Sequence, residues 1–501
     1  MIHTRKIYNI LIATILVALL VDARAQTTIR LSLPMIIDSL ALASPEAQIQ
    51  NLAFENELLQ FENYKKGFLP SVSISISPLS FNRSIVKLQQ ATDGSYNYVE
   101  DYSSSSSTSL SIQQKIPFTG GTLSASSNLN YLNELSQNRH SFSATPFAFS
   151  YSQQLFGSGK TMRMEKNIEY KRNEANIKEY CIAISGIQQK VLNLFMETCL
   201  ASLEKKLALT NRMATDSLLK LAKMKYENKR ITETDYKQIE LQAVNNEYLE
   251  EQAKKNMEDA VRSLITFLGV KGSLRDVEVE SPEFTLPLSI NIENVLYYIS
   301  RNNPTILNRE IRRLEAQKNL YTSELGRKFN ANISLNYGTN KFSPIFSDLY
   351  SNPSQQQSVS VGFSIPFSMW GINRNSERMA KNTYQSSMIS IEKDMDEFEN
   401  EINRTVNNYN HSVNLWLIAE RSYQLAQEQY NLTVQEYVIG RATVYELIAS
   451  QQEQSFAMQK YYDSIRNAYE NYFKIRELTL YDFQKNAELI DTFKTTLNFK
   501  F

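Results

Sequence analysis

The chain has 501 residues, with 53 basic and 53 acidic side chains, two cysteines and three histidines. This balance carries no nucleic-acid signature, and with only His140 and His411 beyond the first 25 residues, a histidine metal site or a Ser-His-Asp triad has little material. Past residue 25 no apolar run approaches the roughly 18 to 20 residues that cross a bilayer as a helix, so only a closed β-barrel could span a membrane.

In chain order, Arg5 and Lys6, the apolar run from Ile10 to Val21, and Ala23, Arg24 and Ala25 predict a secretory signal peptide over 1–25, cleaved before Gln26. Its removal leaves 50 basic against 52 acidic residues. The first cysteine is Cys181, so no lipid anchor is expected at the new N-terminus. Cys181 and Cys199 share one helical pattern about 27 Å apart, beyond disulfide reach, and read as buried small apolar residues.

From about Leu33 to Lys66 the pattern is helical and ends at Gly67 and Pro70. Strict alternation follows in Ser71 to Ser77 and recurs after Gly326 in Asn332 to Tyr337, with return strands at Phe147, Phe149 and Tyr151 and at Val359, Val361, Phe363 and Ile365. One face is apolar and the other is Ser, Asn and Gln. A single strand of this kind suits a soluble sheet with one solvated face. Small uncharged polar positions, with long polar connections expected over 79–106 and 339–357, suit a barrel with lipid outside and water inside. Aromatic residues at the strand ends fit interfacial girdles.

The first copy is longer between its glycine and its return strand. Leu110 and Ile112, then Leu123, Ala125, Leu129 and Tyr131, alternate around Pro117, Gly120 and Gly121, which predicts an extra β-hairpin. Gly157, Gly159, Lys160 and Thr161 resemble a phosphate loop, but Gln154 stands where the first glycine belongs. A strand-to-helix turn is the better reading.

Residues 160–225 and 373–436 are helical runs of nearly 100 Å at 1.5 Å per residue. Ile184, Ile187, Val191 and Leu194 form one stripe, and Leu192, Phe195, Cys199 and Leu203 a second about 100° away, so the helix has neighbours on two sides. Return helices are expected over 233–268 and 444–477, and a leading helix over 291–325 opens the second copy as 33–66 opens the first. Between the long and return helices stand Tyr226, Arg230, Thr232 and Asp235 in the first copy. Tyr437, Arg441, Thr443 and Glu446 take the same spacing in the second. The chain therefore divides into a signal peptide (1–25), a first repeat (26–270), a linker (271–290) with Gly272, Pro282 and Pro287, a second repeat (291–478) and an unassigned tail (479–501) in which Leu497, Phe499 and Phe501 alternate.

This order of helix, strands, long helix, Tyr-x-x-x-Arg-x-Thr turn and return helix, given twice, resembles the outer-membrane efflux family typified by TolC over nearly the whole chain beyond residue 25. The resemblance implies a mixed α and β membrane protein: a homotrimer whose transmembrane β-barrel sits among outer-membrane lipids and continues into a periplasmic α-helical barrel closed at its lower end. It implies no enzyme activity and no cofactor. The expected partners are a periplasmic adaptor and an inner-membrane transporter, with the chain as their passive exit duct. A periplasmic coiled-coil structural protein, or a porin without a pump, are the alternatives.

In that family a tyrosine and an arginine at the second turn bond an aspartate at the first. Asp235, preceded by Thr234, and Tyr437 match those positions, with Gly440 opening the second turn and Thr443 starting its return helix. The family's arginine position falls on Ala442, and Arg441 lies one residue earlier, about 100° around a helix. Glu446 matches a pore-lining acidic ring, while Ala449 stands at the second ring position. For Glu446 and Asp235 the other reading is a carboxylate favoured by the first turn of a helix. Family members with two strands per repeat form a twelve-stranded trimeric barrel. The extra hairpin over 107–131 either raises that to about eighteen or folds over the barrel.

Overall fold

The computed structural model describes residues 29–89, 94–135, 138–270, 277–280, 284–327, 330–364 and 370–497. The signal peptide over 1–25, Gly272 and Pro282 of the linker, Ile365 of the last return strand, and Phe499 and Phe501 of the tail lie outside the described residues.

The chain divides into two compact units. One comprises the described residues up to Phe54, Ile177–Pro304 and those from Asp396 onward; the other comprises Glu55–Asn176 and Thr305–Met395. In order, the elements are β1 (Ile29–Leu31), short helical turns over 33–43, α1 (Pro45–Lys66), β2 (Ser71–Gln89), β3 (Tyr96–Lys115), β4 (Thr122–Glu134) and β5 (Arg139–Gln154). Then come α2 (Ser158–Glu227), α3 (Glu233–Leu268), β6 (Val277–Val279), α4 (Ile292–Asn302), α5 (Pro304–Arg327), β7 (Asn330–Ser343) and β8 (Ser354–Ser364). The chain closes with α6 (Ile372–Val438), α7 (Val444–Thr479), β9 (Tyr481–Asp482), β10 (Ala487–Glu488) and α8 (Leu489–Leu497).

The second unit holds one antiparallel sheet of order β2-β3-β4-β5-β7-β8. Because side chains alternate across a strand, the cross-strand register sorts them by face. Ser71, Gln113, Ser124, Ser150, Asn336 and Ser358 form one row, one residue per strand. Val72, Ile112, Ala125, Phe149 and Tyr337 form the neighbouring row on the opposite face. Serine hydroxyls bridge strands on the polar face, Ser73 to Ser111 at 2.7 Å and Ser124 to Ser150 at 2.5 Å. The apolar face is bare: Val72, Ile74 and Ile76 are 63%, 66% and 65% exposed. Pro78 and Pro146 lie within strands, where a missing N–H breaks a ladder. Both fall at register shifts, between Ser77 and Ser80 and between Ala144 and Phe147.

Two sequence expectations are corrected here. Most of the connection expected over 79–106 is strand, since β2 runs to Gln89 and β3 starts at Tyr96; the serine run from Ser103 to Ser107 hides the alternation that marks a strand. The helix expected over 33–66 is broken at Ser44, and that over 291–325 at Asn303. Each break is an extended residue (φ −60°, ψ 152° and φ −71°, ψ 128°) immediately before a proline, Pro45 or Pro304. A proline ring disfavours helical conformation in the residue preceding it.

The hairpin expected over 107–131 lies inside the sheet, between β2 and β5. Its turn closes through Ile116 N–H to Gly121 O at 2.8 Å, and the start of α2 is fastened to it by Ser158 Oγ donating to Thr119 O at 2.6 Å. The glycines near Lys160 therefore serve a corner. Gly157 has φ +87°, and a Cβ there would meet Leu325 Cδ1 at 2.2 Å.

The first unit holds a large apolar core. Val191, Leu192 and Phe195 of α2, Leu264 of α3, Val295 of α4, Tyr409 and Val413 of α6, and Ile465 and Phe473 of α7 all join it. Both stripes expected on α2 contribute, with Ile184, Ile187, Val191, Leu192, Phe195 and Cys199 buried. β1 pairs in parallel with β6, Ile29 with Val277 through Leu31 with Val279. The unassigned tail forms the β9–β10 hairpin and α8. Asp482 there is buried beside Arg476, Nε to Oδ2 at 3.5 Å, and accepts from Tyr472 Oη at 2.6 Å, Gln484 N at 3.0 Å and Lys485 N at 3.1 Å.

Candidate functional site at the two helix-hairpin turns

The repeated motif resolves into one turn built twice. At the first, Lys229 takes the left-handed conformation (φ +57°). Its N–H reaches Tyr226 O at 2.8 Å, and Arg230 N–H reaches Lys225 O at 2.8 Å. At the second, Gly440 has φ +81°, Gly440 N–H reaches Tyr437 O at 3.1 Å and Arg441 N–H reaches Glu436 O at 2.8 Å. These are Schellman endings, which satisfy carbonyls orphaned at a helix C-terminus. Arg230 and Arg441 hold the same place in each because both follow the left-handed residue.

Two residues later the return helix begins in a capping box. Thr232 Oγ1 accepts from Asp235 N at 3.1 Å, and Thr232 N donates back to Asp235 Oδ2 at 3.2 Å. Thr443 and Glu446 repeat this, with Glu446 N to Thr443 Oγ1 at 3.2 Å and Thr443 N to Glu446 Oε2 at 2.6 Å. The acid spacing in both motifs is thus the spacing at which a side chain returns to its own N-cap. Donation to the carboxylate from Thr443 N, and then from Thr443 Oγ1 at 2.9 Å, holds the exposed Glu446 carboxyl below its ordinary value of 4.5. A lowered folded pKa gives stability that is present above the unfolded value and is lost as pH falls through the folded one.

The residue before each cap and the fourth residue of each return helix are apolar: Ile231 with Tyr236, and Ala442 with Leu447. All four belong to one cluster with Ala222, Ile239 and Tyr437, as expected of a hydrophobic staple at each helix start. This signal is visible in the sequence as a five-residue spacing around each threonine. Among predicted site residues, Tyr437 is 7% exposed within the cluster, whereas its counterpart Tyr226 is 39% exposed and stacks on Tyr236 at 5.3 Å. Lys225 Nζ stands 5.5 Å from the Tyr437 ring centroid, so this cation bridges the two hairpins. A cavity of ≈ 20 Å³ between them, lined in part by Thr215, Tyr430, Tyr437 and Leu447, has room for about one water.

Thr234 is exposed on the first turn of α3, and Arg230 and Arg441 are exposed. Among the described residues no hydrogen bond joins Asp235 to Tyr437 or Arg441. Tyr437 nevertheless senses Asp235: burial first, then the negative charge of Asp235, pushes its phenol up from 10.0. No group of three or more His, Cys, Asp or Glu side chains is placed to hold a metal ion among the described residues.

Lys229 occupies a left-handed site that glycine fills in the second turn, and a Cβ there costs roughly 1 kcal/mol or more. Lys229→Gly should therefore raise stability by about 1 kcal/mol in urea unfolding. A destabilised variant would refute the equivalence of the two turns.

No family model matches the sequence, and no curated protein is similar to it by sequence. The fold is nonetheless shared with solved outer-membrane proteins. The structure is similar to the CmeC outer membrane channel of Campylobacter jejuni (TM-score 0.63, 13% identity, covering 93% of this chain and 89% of that one). It is similar to the outer membrane protein VceC of Vibrio cholerae (TM-score 0.61, 13% identity, 89% and 95%) and to the outer-membrane channel OprN (TM-score 0.63, 14% identity, 90% and 90%). The fold is that of these outer-membrane channels.

Proposed function

We propose that the chain is the outer-membrane exit duct of a tripartite efflux or secretion system. The observation that carries this reading is the sheet: a bare apolar face, a polar face made mainly of serine, asparagine and glutamine, and two edges, β2 and β8, with no strand partner among the described residues. Open edges do not persist in hydrocarbon, so neighbouring copies pair them, and a homotrimer closes a transmembrane barrel among outer-membrane lipids. Among the described residues no helix is long and apolar enough to cross a membrane. The helical hairpins extend into the periplasm.

The duct performs no chemistry. An inner-membrane transporter supplies the energy, and a periplasmic adaptor docks at the hairpin turns. There the cluster around Tyr437, with Asp235 beside it, favours the closed form, and adaptor binding shifts a two-state equilibrium toward the open one. Fractionation should recover the protein in outer membranes as a heat-modifiable trimer. A monomer in the soluble periplasmic fraction would sink the reading.

Asp235→Ala removes both the carboxylate beside Tyr437 and half of a capping box, a loss of about 1 kcal/mol. Single-channel conductance in planar bilayers is expected to rise; unchanged conductance would remove Asp235 from the gate.

A further inference from the structure

We propose that the β3–β4 hairpin is part of the barrel wall, and that the duct opens outward through a wide pore lined mainly by hydroxyl and amide side chains and suited to bulky hydrophilic cargo. This rests on the trimeric exit-duct reading above.

The hairpin is paired on both sides along its length. β3 is in register with β2 from Ser71–Gln113 to Gln89–Tyr96, and β4 with β5 from Thr122–Ser152 to Glu134–Arg139. Its alternation is in phase with its neighbours. Ser111 lies between Ser73 and Ser126, and Ile112 between Val72 and Ala125. A segment folded over a barrel would leave β2 and β5 adjacent; here they are separated by both strands.

Six strands per chain make eighteen in a trimer, and strand number sets the bore. With strands about 4.8 Å apart and tilted about 40°, eighteen give a backbone diameter of about 36 Å, against about 24 Å for twelve. After roughly 4 Å of small side chain on each side, the lumens are about 28 Å and about 16 Å.

The lining follows from the register. The row Ser73, Ser111, Ser126, Ala148, Gly338 and Gln356 contains no charge, nor does its neighbour Ser71, Gln113, Ser124, Ser150, Asn336 and Ser358. Over these two rows the wall has no fixed charge; the same alternation places Lys115 opposite Thr122 at one end of the strands and Glu134 opposite Arg139 at the other, and short side chains leave the bore between them open. At Gly338 a Cβ would lie 2.9 Å from Phe147 O, so that point of the wall stays bare.

The test uses the full-length protein reconstituted as a trimer, with Ser111→Cys on the polar face and Ile112→Cys on the apolar face of β3. Cys181 and Cys199 are 0% and 2% exposed, so background labelling is low. Thiol-reactive polyethylene glycols of graded size should modify the Ser111→Cys protein up to about 25 Å across and leave Ile112→Cys unmodified. A cut-off near 16 Å, or equal labelling of both variants by large reagents, overturns the proposal while leaving the exit-duct reading intact. A purified species that is not trimeric overturns both.

Discussion

Tyr437→Ala is expected to open the proposed duct at its hairpin turns. The side chain is 7% exposed and lies in a cluster fed by all four helices of the two hairpins, through Ala222, Ile239, Tyr437 and Leu447. Truncating a buried aromatic to alanine costs about 3 to 5 kcal/mol. If that cost falls on the closed form alone, the closed-to-open ratio drops by roughly 100-fold or more. The expected result is a large rise in single-channel conductance. Tyr437→Phe separates two causes. The phenol makes no hydrogen bond to Asp235 among the described residues, so packing alone predicts a nearly silent phenylalanine. Equal conductance in the Phe and Ala variants would mean that the hydroxyl holds the gate.

Asp482→Ala should be the most damaging single change away from the turns. Arg476 and Asp482 are each 5% exposed, and the carboxylate also collects the Tyr472 hydroxyl and two backbone N–H groups. Removing it leaves a buried guanidinium without its ion-pair partner, a loss of about 3 to 5 kcal/mol. Asp482→Asn keeps acceptors for the hydroxyl and the amides, so it should fall between wild type and alanine. Urea unfolding followed by limited proteolysis of the segment from Tyr481 checks both. A change under about 1 kcal/mol for alanine would show that the tail is held by β9, β10 and α8 packing instead.

The long helices were legible from sequence because their period persists. Expected limits of 160–225 and 373–436 compare with Ser158–Glu227 and Ile372–Val438. The shorter leading helices were misjudged, because apolar periodicity runs on through Ser44 and Asn303 while the following prolines stop the hydrogen-bond ladder. The strand content of 79–106 was hidden by serine and charged positions, which say little about backbone conformation.

At the turns, the motif itself was plain, but its meaning divided. Thr232 and Thr443, with Asp235 and Glu446, carry a local hydrogen-bond pattern that spacing alone encodes. The burial of Tyr437 against the exposure of Tyr226 was not legible, since it depends on which hairpin face meets the other. The apparent misplacement of Arg441 also has a local origin: it marks the end of a Schellman turn, as Arg230 does.

The sheet imposes an order of assembly on the chain. β2 to β5 are consecutive neighbours and can form as a local meander, but β5 must wait for β7, with Gln154 bonding Asn330 across 176 residues. Until residues 330–364 arrive, that meander presents a free edge at β5 as well as its apolar face. Contacts of such long sequence separation form slowly, and exposed edges pair with whatever they meet. The nascent chain is therefore a natural client for a holding chaperone during the interval in which the two long helices between β5 and β7 are still being delivered.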